Sequence, residues 1–367
     1  VKDVLGRVGQ RFAIGFEGTA ASVDAKALVR DFGVGSVILF RRNVEAPEQV
    51  AELVRELQET ARAAGHDQPL LVCVDQEGGR VARMLEPWTR WPSARAVGRT
   101  GSEETAYAVG KGLAAELRPC GVSVDFAPCV DVDTNPQNPV IGDRSFGGDP
   151  DLVGRLGAAA IRGLQDGGIA ACAKHFPGHG DTSVDSHLDL PVVDHPRQRL
   201  EDVELPPFRR AIESGVAMVM SGHLLVREID DARPGTLSPA VVSGLLRGEL
   251  GFAGVVATDD LDMKGVAKQW RPSEIAVMAA LAGCDLLCFC RDHDAQVDGI
   301  EGLVRAVESG EVPFKDAEAA ERRIRALKER FLVGYRDPDP REARAAAGRL
   351  EHRALAEDVD ERAGLGA

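Results

Sequence analysis

The segment KHFPGHGDTSVDSHLDLP, residues 174–191, holds His175, His179 and His187 together with Asp181, Asp185 and Asp189. Pro177, Gly178 and Gly180 favour a loop there. So dense a mixture of imidazoles and carboxylates offers two chemistries: holding a divalent metal, or moving protons and binding a polar substrate. The spacing disfavours the metal, because there is no HExxH and no His-x-His pair at a strand end, and a catalytic zinc needs three well-aimed ligands. No metal and no cofactor are expected. Asp185 and His187 stand two apart, close enough for the carboxylate to hold one imidazole nitrogen and raise the proton affinity of the ring. That makes a tunable proton donor, although spacing alone allows a solvated polar loop equally well.

A second cluster is VVATDDLDM, residues 255–263, where Asp259 and Asp260 end an apolar run. A carboxylate there can attack an electrophilic carbon. Successive strand side chains face opposite ways, so one of the two is expected to react and the other to cap the next helix or brace the site. VDQEGGRVAR (74–83) adds Asp75, Arg80 and Arg83 around a Gly-Gly turn, and GDRSFGGDP (142–150) adds Arg144. Arginines in such loops bond hydroxyls or carboxylates. Arg80 reads best as a surface or structural ion pair. Asp131, Asp133 and His223, taken singly, read as points where the chain reaches water.

These residues need a scaffold that brings distant positions together. Eight short apolar runs recur: FAIGF (12–16), SVILF (36–40), LLVCVD (70–75), VSVDFAPCVDV (122–132), IAACAKHF (169–176), AMVMSGH (217–223), GVVATDD (254–260) and DLLCFC (285–290). Between them lie helix-length segments such as 46–65, with apolar residues at three- and four-residue spacing. This is the pattern of parallel βα units. An open doubly wound sheet has the same local signature, but eight units and the lack of a GxGxxG opening a helix favour a closed (β/α)8 barrel. In a barrel the active site lies at the C-terminal strand ends, which is where the polar residues named above fall. The expected organisation is a barrel over residues 1–335, its final charged helix at 315–332, and a helical or loosely ordered tail over 336–367.

The chain has 367 residues, 44% hydrophobic and 28% charged, so one large core is the default. A net charge of −14 argues against nucleic acid and anionic membranes as partners. The seven cysteines form no CxxC pair, and Cys73, Cys129, Cys172, Cys288 and Cys290 sit in apolar runs, as reduced core thiols do. No stretch approaches the roughly 18 apolar residues of a membrane span, and VKDVLGRVGQ lacks a signal-like core. A soluble, cytoplasmic, monomeric enzyme acting on small or neutral ligands is expected.

Taken together, GSVILFRRN (35–43), VDQEGGRVAR (74–83), FAPCVDV (126–132), GDRSF (142–146), KHFPGHGDTSVDSH (174–187), ELGFAGVVATDDLDM (249–263) and AGCDLL (282–287) resemble the single-domain bacterial β-N-acetylglucosaminidases of glycoside hydrolase family 3. Those enzymes trim muropeptides in cell-wall recycling. The resemblance implies that Asp259 is the nucleophile, that His187 is the acid/base assisted by Asp185, and that Asp75, Arg83, Arg144, Lys174 and His175 line the sugar subsite. It also implies a double displacement with retention, and a loop that closes over bound sugar. Three other readings stay open: a phosphorylase using the same glycosyl-enzyme, a metal-dependent barrel amidohydrolase, and a sugar-binding protein without activity.

Overall fold

The structure is a computed structural model that describes residues 2–186 and 188–365. Each of the eight apolar runs contributes one strand: β1 (Phe12–Ile14), β2 (Ser36–Leu39), β3 (Leu71–Val74), β4 (Val124–Asp125), β5 (Ala170–Phe176), β6 (Met218–Ser221), β7 (Val255–Thr258) and β8 (Leu287–Phe289). All pair in parallel and in chain order, with β8 returning to β1 through Ala13 and Cys288. A bridge between Ala257 and Leu286 joins β7 to β8 and closes the ring. The fold is therefore a (β/α)8 barrel.

The runs are continuously apolar because both faces of each strand are buried. In β3, Leu71 and Cys73 face the barrel interior, whereas Val72 and Val74 face the helices. Small residues recur in the interior, among them Ala13, Cys73, Ala170, Cys172, Ala257 and Cys288. All seven cysteines are buried and unpaired, as expected of core thiols.

The helices supply the outer layer. Pro47–Ala63 starts with proline in its first turn and buries Val50, Leu53, Val54, Leu57 and Ala61 on one face. Phe314–Phe331, the final charged helix, lies across the N-terminal end of the barrel and sends Ile324 and Leu327 into the interior cluster. Arg323 on this helix meets the buried Asp285. Beyond it, Pro340–Ala346 packs on Pro47–Ala63, and Leu350–Arg362 packs on Ala94–Thr100 and Glu103–Leu117. The tail residues described are thus helical and docked on the flank. No helix among the described residues is long and apolar enough to cross a membrane.

Candidate active site

The C-terminal strand ends surround a cleft of about 850 Å³. Asp75, Arg83, Arg144, Lys174, His175, Asp185 and Asp259 all line it, although they span the chain from β3 to β7. His187 lies outside the described residues.

One wall is a chain of charges. Lys174, on β5, donates from Nζ to Asp75 Oδ1 at 2.8 Å and meets Glu77 Oε1 at 2.6 Å. Arg83 reaches the other oxygen of Asp75 at 3.3 Å. Arg144 grips Glu77 with two bonds, of 2.9 and 2.8 Å, and approaches His175 Nε2 at 3.3 Å. Lys174 is only 2% exposed, so its charge persists because two carboxylates compensate it. Burial alone would discharge each partner, yet Asp75 and Glu77 are held below the usual carboxylate range. Lys174 and Arg83 do this for Asp75, and Arg144 and Lys174 do it for Glu77. Lys174 is correspondingly raised, with Asp75 and then Glu77 outweighing its desolvation.

Behind this wall sits Asp131, where the structure corrects the sequence reading. Asp131 does not reach water. It is 1% exposed and accepts His175 Nδ1 at 2.7 Å, the His175 backbone N–H, and the His179 backbone N–H at 2.6 Å. Burial would raise its pKa, but His175 and these donors bring it down to about 2. His223 likewise does not end in solvent: it is fully buried, between Thr236 Oγ1 at 3.0 Å and the carbonyl of Asp260 at 2.9 Å. Asp133 is ion-paired with Arg95, and Arg80 with Asp143 at 2.7 Å.

Cys129, Asp131 and His175 place three ligand atoms within 4.8 Å of one another. The donor set fits a metal poorly. Burial holds the Cys129 thiol well above its usual range, it donates to Asp131 at 3.2 Å, and Asp131 is already occupied by N–H groups.

The loop after β5 is docked on both sides. Asn138 Nδ2 donates to the His179 carbonyl at 2.8 Å, Thr134 bonds Asp181 at 2.8 Å, and Gly265 N–H reaches the Ser186 carbonyl at 3.1 Å. Gly180 is obligatory here, since a Cβ would lie 1.8 Å from the Val132 carbonyl oxygen. His179 is buried on Thr182 and Ser186, and burial pushes its pKa down to about 4. It is a structural, neutral imidazole. Asp185, by contrast, sits at the cleft in a turn whose apolar neighbours Val184 and Leu188 are 40% and 62% exposed.

Asp259 follows the last paired residue of β7, and its Oδ1 accepts the N–H of Asp260 at 2.8 Å. Both aspartates border the cleft, because the alternation of facing ends with the strand at Thr258. Asp260 nevertheless braces: its Oδ1 accepts the N–H of Asp262 at 3.0 Å and of Cys290 at 3.2 Å.

Sequence reasoning assigned no role to Glu77. Its signal was a carboxylate beside a Gly-Gly turn whose backbone adopts positive φ, 93° at Gly78, tight against Pro92. The signal for Asp131 was a carboxylate embedded between Val130 and Val132.

A closed parallel barrel whose mouth joins compensated charges to a strand-end carboxylate suits a polyhydroxylated ligand. Comparison with known proteins agrees. Residues 6–327 match the family model described as glycosyl hydrolase family 3 N terminal domain, and the chain belongs to that family. Along this stretch it is a glycoside hydrolase of the β-N-acetylhexosaminidase type. A beta-hexosaminidase of Nitrosospira multiformis is 40% identical over 285 residues, covering 76% of this chain and 80% of that protein. Beta-hexosaminidase A of Pseudoalteromonas piscicida is 37% identical, and there the match spans 73% of this chain but only 48% of the relative. Among solved structures, a family 3 β-N-acetylglucosaminidase of Paenibacillus sp. superposes with a TM-score of 0.91 at 42% identity, over 98% of this chain and 68% of the other. NagZ of Neisseria gonorrhoeae, solved with N-trifluoroacetyl-D-glucosamine, gives 0.78 at 30% identity, over 97% and 98%.

Proposed function

We propose that this chain is an exo-acting β-N-acetylglucosaminidase that releases terminal β-linked N-acetylglucosamine with retention. The position of Asp259 carries the reading: it opens at the end of β7 into the cleft that Asp75, Arg83, Arg144, Lys174 and Asp185 share. Asp259 attacks the anomeric carbon while the bond to the leaving oxygen breaks, and His187, oriented by Asp185, gives that oxygen its proton. Water then attacks the glycosyl ester and loses a proton to the same imidazole, which frees the sugar and Asp259. Asp75, Arg83, Arg144, Lys174 and His175 bind the sugar through bonds that hydroxyls exchange with the paired charges. The natural substrates in this reading are peptidoglycan fragments handled in the cytoplasm, supported by the motif resemblance to muropeptide-trimming enzymes.

A set of aryl β-glycosides differing only at the 2-position, assayed with and without phosphate, tests this. Turnover restricted to the 2-acetamido sugar, with free sugar as product in both buffers, is expected. Turnover of the 2-hydroxy sugar at an equal rate, or a sugar 1-phosphate as the main product, would overturn it.

A further inference from the structure

The segment Asp259-Asp260-Leu261-Asp262 carries three carboxylates in four positions beside the reacting centre, and the reaction above uses one. The other two converge on the end of β8. Asp260 Oδ1 and Asp262 Oδ2 both accept the N–H of Cys290, at 3.2 and 2.9 Å, and Asp262 Oδ2 also accepts the N–H of Arg291 at 2.8 Å. The same stretch is fixed by its backbone, with Leu261 N–H on the Cys288 carbonyl at 2.8 Å and the Asp260 carbonyl on His223 Nε2 at 2.9 Å. Asp259 in turn rests its Oδ1 on the N–H of Asp260 at 2.8 Å.

We propose that Asp260 is a positioning residue for the nucleophile: by tying its own peptide to the end of β8, it aims the N–H on which the Asp259 carboxylate stands. Asp260 touches the reaction only through Asp259, so the proposal rests on Asp259 being the nucleophile. A carboxylate that attacks must present one oxygen along a narrow approach, and its other oxygen must be held elsewhere. The Asp260 N–H holds Oδ1, and Oδ2 is the attacking atom of this proposal. The backbone bonds fix the stretch, and the side-chain anchor across to the next strand sets the angle at which that donor meets Asp259.

The charge state suits this part. Burial, then Asp262, then Asp259, push the Asp260 carboxyl up to about 7. Asp262 is raised as well, again chiefly by burial. Facing Asp260 from other elements are the raised thiols of Cys288 on β8 and of Cys290 just after it, and the buried His223 beyond β6, while Lys264 and Arg291 stand at the cleft rim. Below neutrality Asp260 thus carries a proton and still offers an oxygen to two N–H groups. An asparagine can reproduce that arrangement. An alanine cannot.

The test compares Asp260→Asn and Asp260→Ala with the unaltered enzyme, using 2,4-dinitrophenyl N-acetyl-β-glucosaminide in burst kinetics, with mass spectrometry of the labelled peptide and thermal melting of each protein. The expected result is a glycosylation step slowed about 10- to 100-fold in Asp260→Ala, the scale of a misplaced reacting group. KM should stay within about threefold, and Asp260→Asn should recover to within about threefold of the original rate. The label should remain on Asp259 throughout. Equal rates for Asp260→Ala and the unaltered enzyme would overturn the proposal, as would an Asp260→Asn variant no better than Asp260→Ala at equal melting temperature. A label on a peptide without Asp259 would instead defeat the assignment of the nucleophile, so the two failures are distinguishable.

Discussion

The two sides of the barrel mouth are built differently. From β3 to β5 the wall is a continuous chain, Asp75–Lys174–Glu77–Arg144–His175–Asp131, in which each charge is buried against an opposite charge or a hydrogen-bonding partner. From β5 to β7 the mouth carries Asp185 in a loop with exposed apolar neighbours, and aspartates whose burial raises them. The first side holds a shape. The second carries the carboxylates that the proposed reaction uses to form a bond and to hold the proton donor, which is the division of labour that binding a sugar and breaking its linkage would require.

The harshest way to break the comparison is to disable the reacting side alone. Asp259→Asn should lower turnover by about 10⁴-fold or more, because an amide cannot form the glycosyl ester. Melting should stay close to that of the original. If residual activity is high, or a 2-fluoro sugar labels another peptide, the assignment fails.

His187→Ala should slow cleavage of an alkyl or sugar aglycone by about 10²–10⁴-fold, the range for a lost general acid. With a very acidic phenol the cleavage step should suffer much less, and Asp185→Ala should show the same ordering more mildly. Burst kinetics that show one uniform loss for all leaving groups would remove His187 from this role.

On the holding side, Glu77→Ala should act on the fold as much as on the sugar. It strands the buried Lys174 and Arg144, and breaking a buried pair costs about 3–5 kcal/mol. Chemical denaturation should report that loss, with KM rising in whatever protein remains folded.

The same side should set the acid limit of stability. His179 is folded with its pKa lowered to about 4, so its contribution is complete above its unfolded value near 6.5 and is lost as pH falls toward 4. Asp131, lowered to about 2, and the lowered Glu77 contribute above the unfolded carboxylate range and are lost below it. Asp260, raised to about 7, works the other way over much of the same window, since the fold gains stability as that carboxyl takes up its proton. The two are separated by variant: His179→Gln should remove the loss of melting temperature that His179 causes between about pH 6.5 and 4, and a profile for His179→Gln that parallels the unaltered protein's over that window would contradict this.

The smallest expected effect is that of a chelator. Excess chelator should leave activity unchanged, because the proposed cleavage needs only a carboxylate and an imidazole. Loss of activity restored by one metal would turn Cys129, Asp131 and His175 into ligands.

The barrel was legible because its evidence is local and repeated. Every apolar run became a strand, and both faces of those strands are buried, so tertiary context had nothing to override. Seven of the residues read as site residues border one cleft, because the strand-end rule needs only the order of elements. Asp131 and His223 escaped because a polar residue at a strand end looks the same whether it meets water or a buried partner. Their partners, the amides of His175 and His179 and the Thr236 hydroxyl, are brought in by loops whose course no local pattern encodes. Glu77 escaped for a related reason: its worth depends on Lys174 and Arg144, both far along the chain, the latter 67 residues away.

The buried carboxylate of Glu116 gathers donors from Thr89, at 2.6 and 3.0 Å, and from Gly348 N–H and His352 at 3.1 and 2.8 Å. Thr89 belongs to the stretch that runs on from the Gly78–Gly79 turn beside the cleft, whereas His352 follows Glu116 by 236 residues. A ribosome adding about 5–20 residues per second emits those two partners on the order of 10–50 seconds apart. For that interval Glu116 has Thr89 as a donor while its last donors do not yet exist. The helices at 340–362 therefore complete the partners of Glu116 long after the chain around Thr89 has been made.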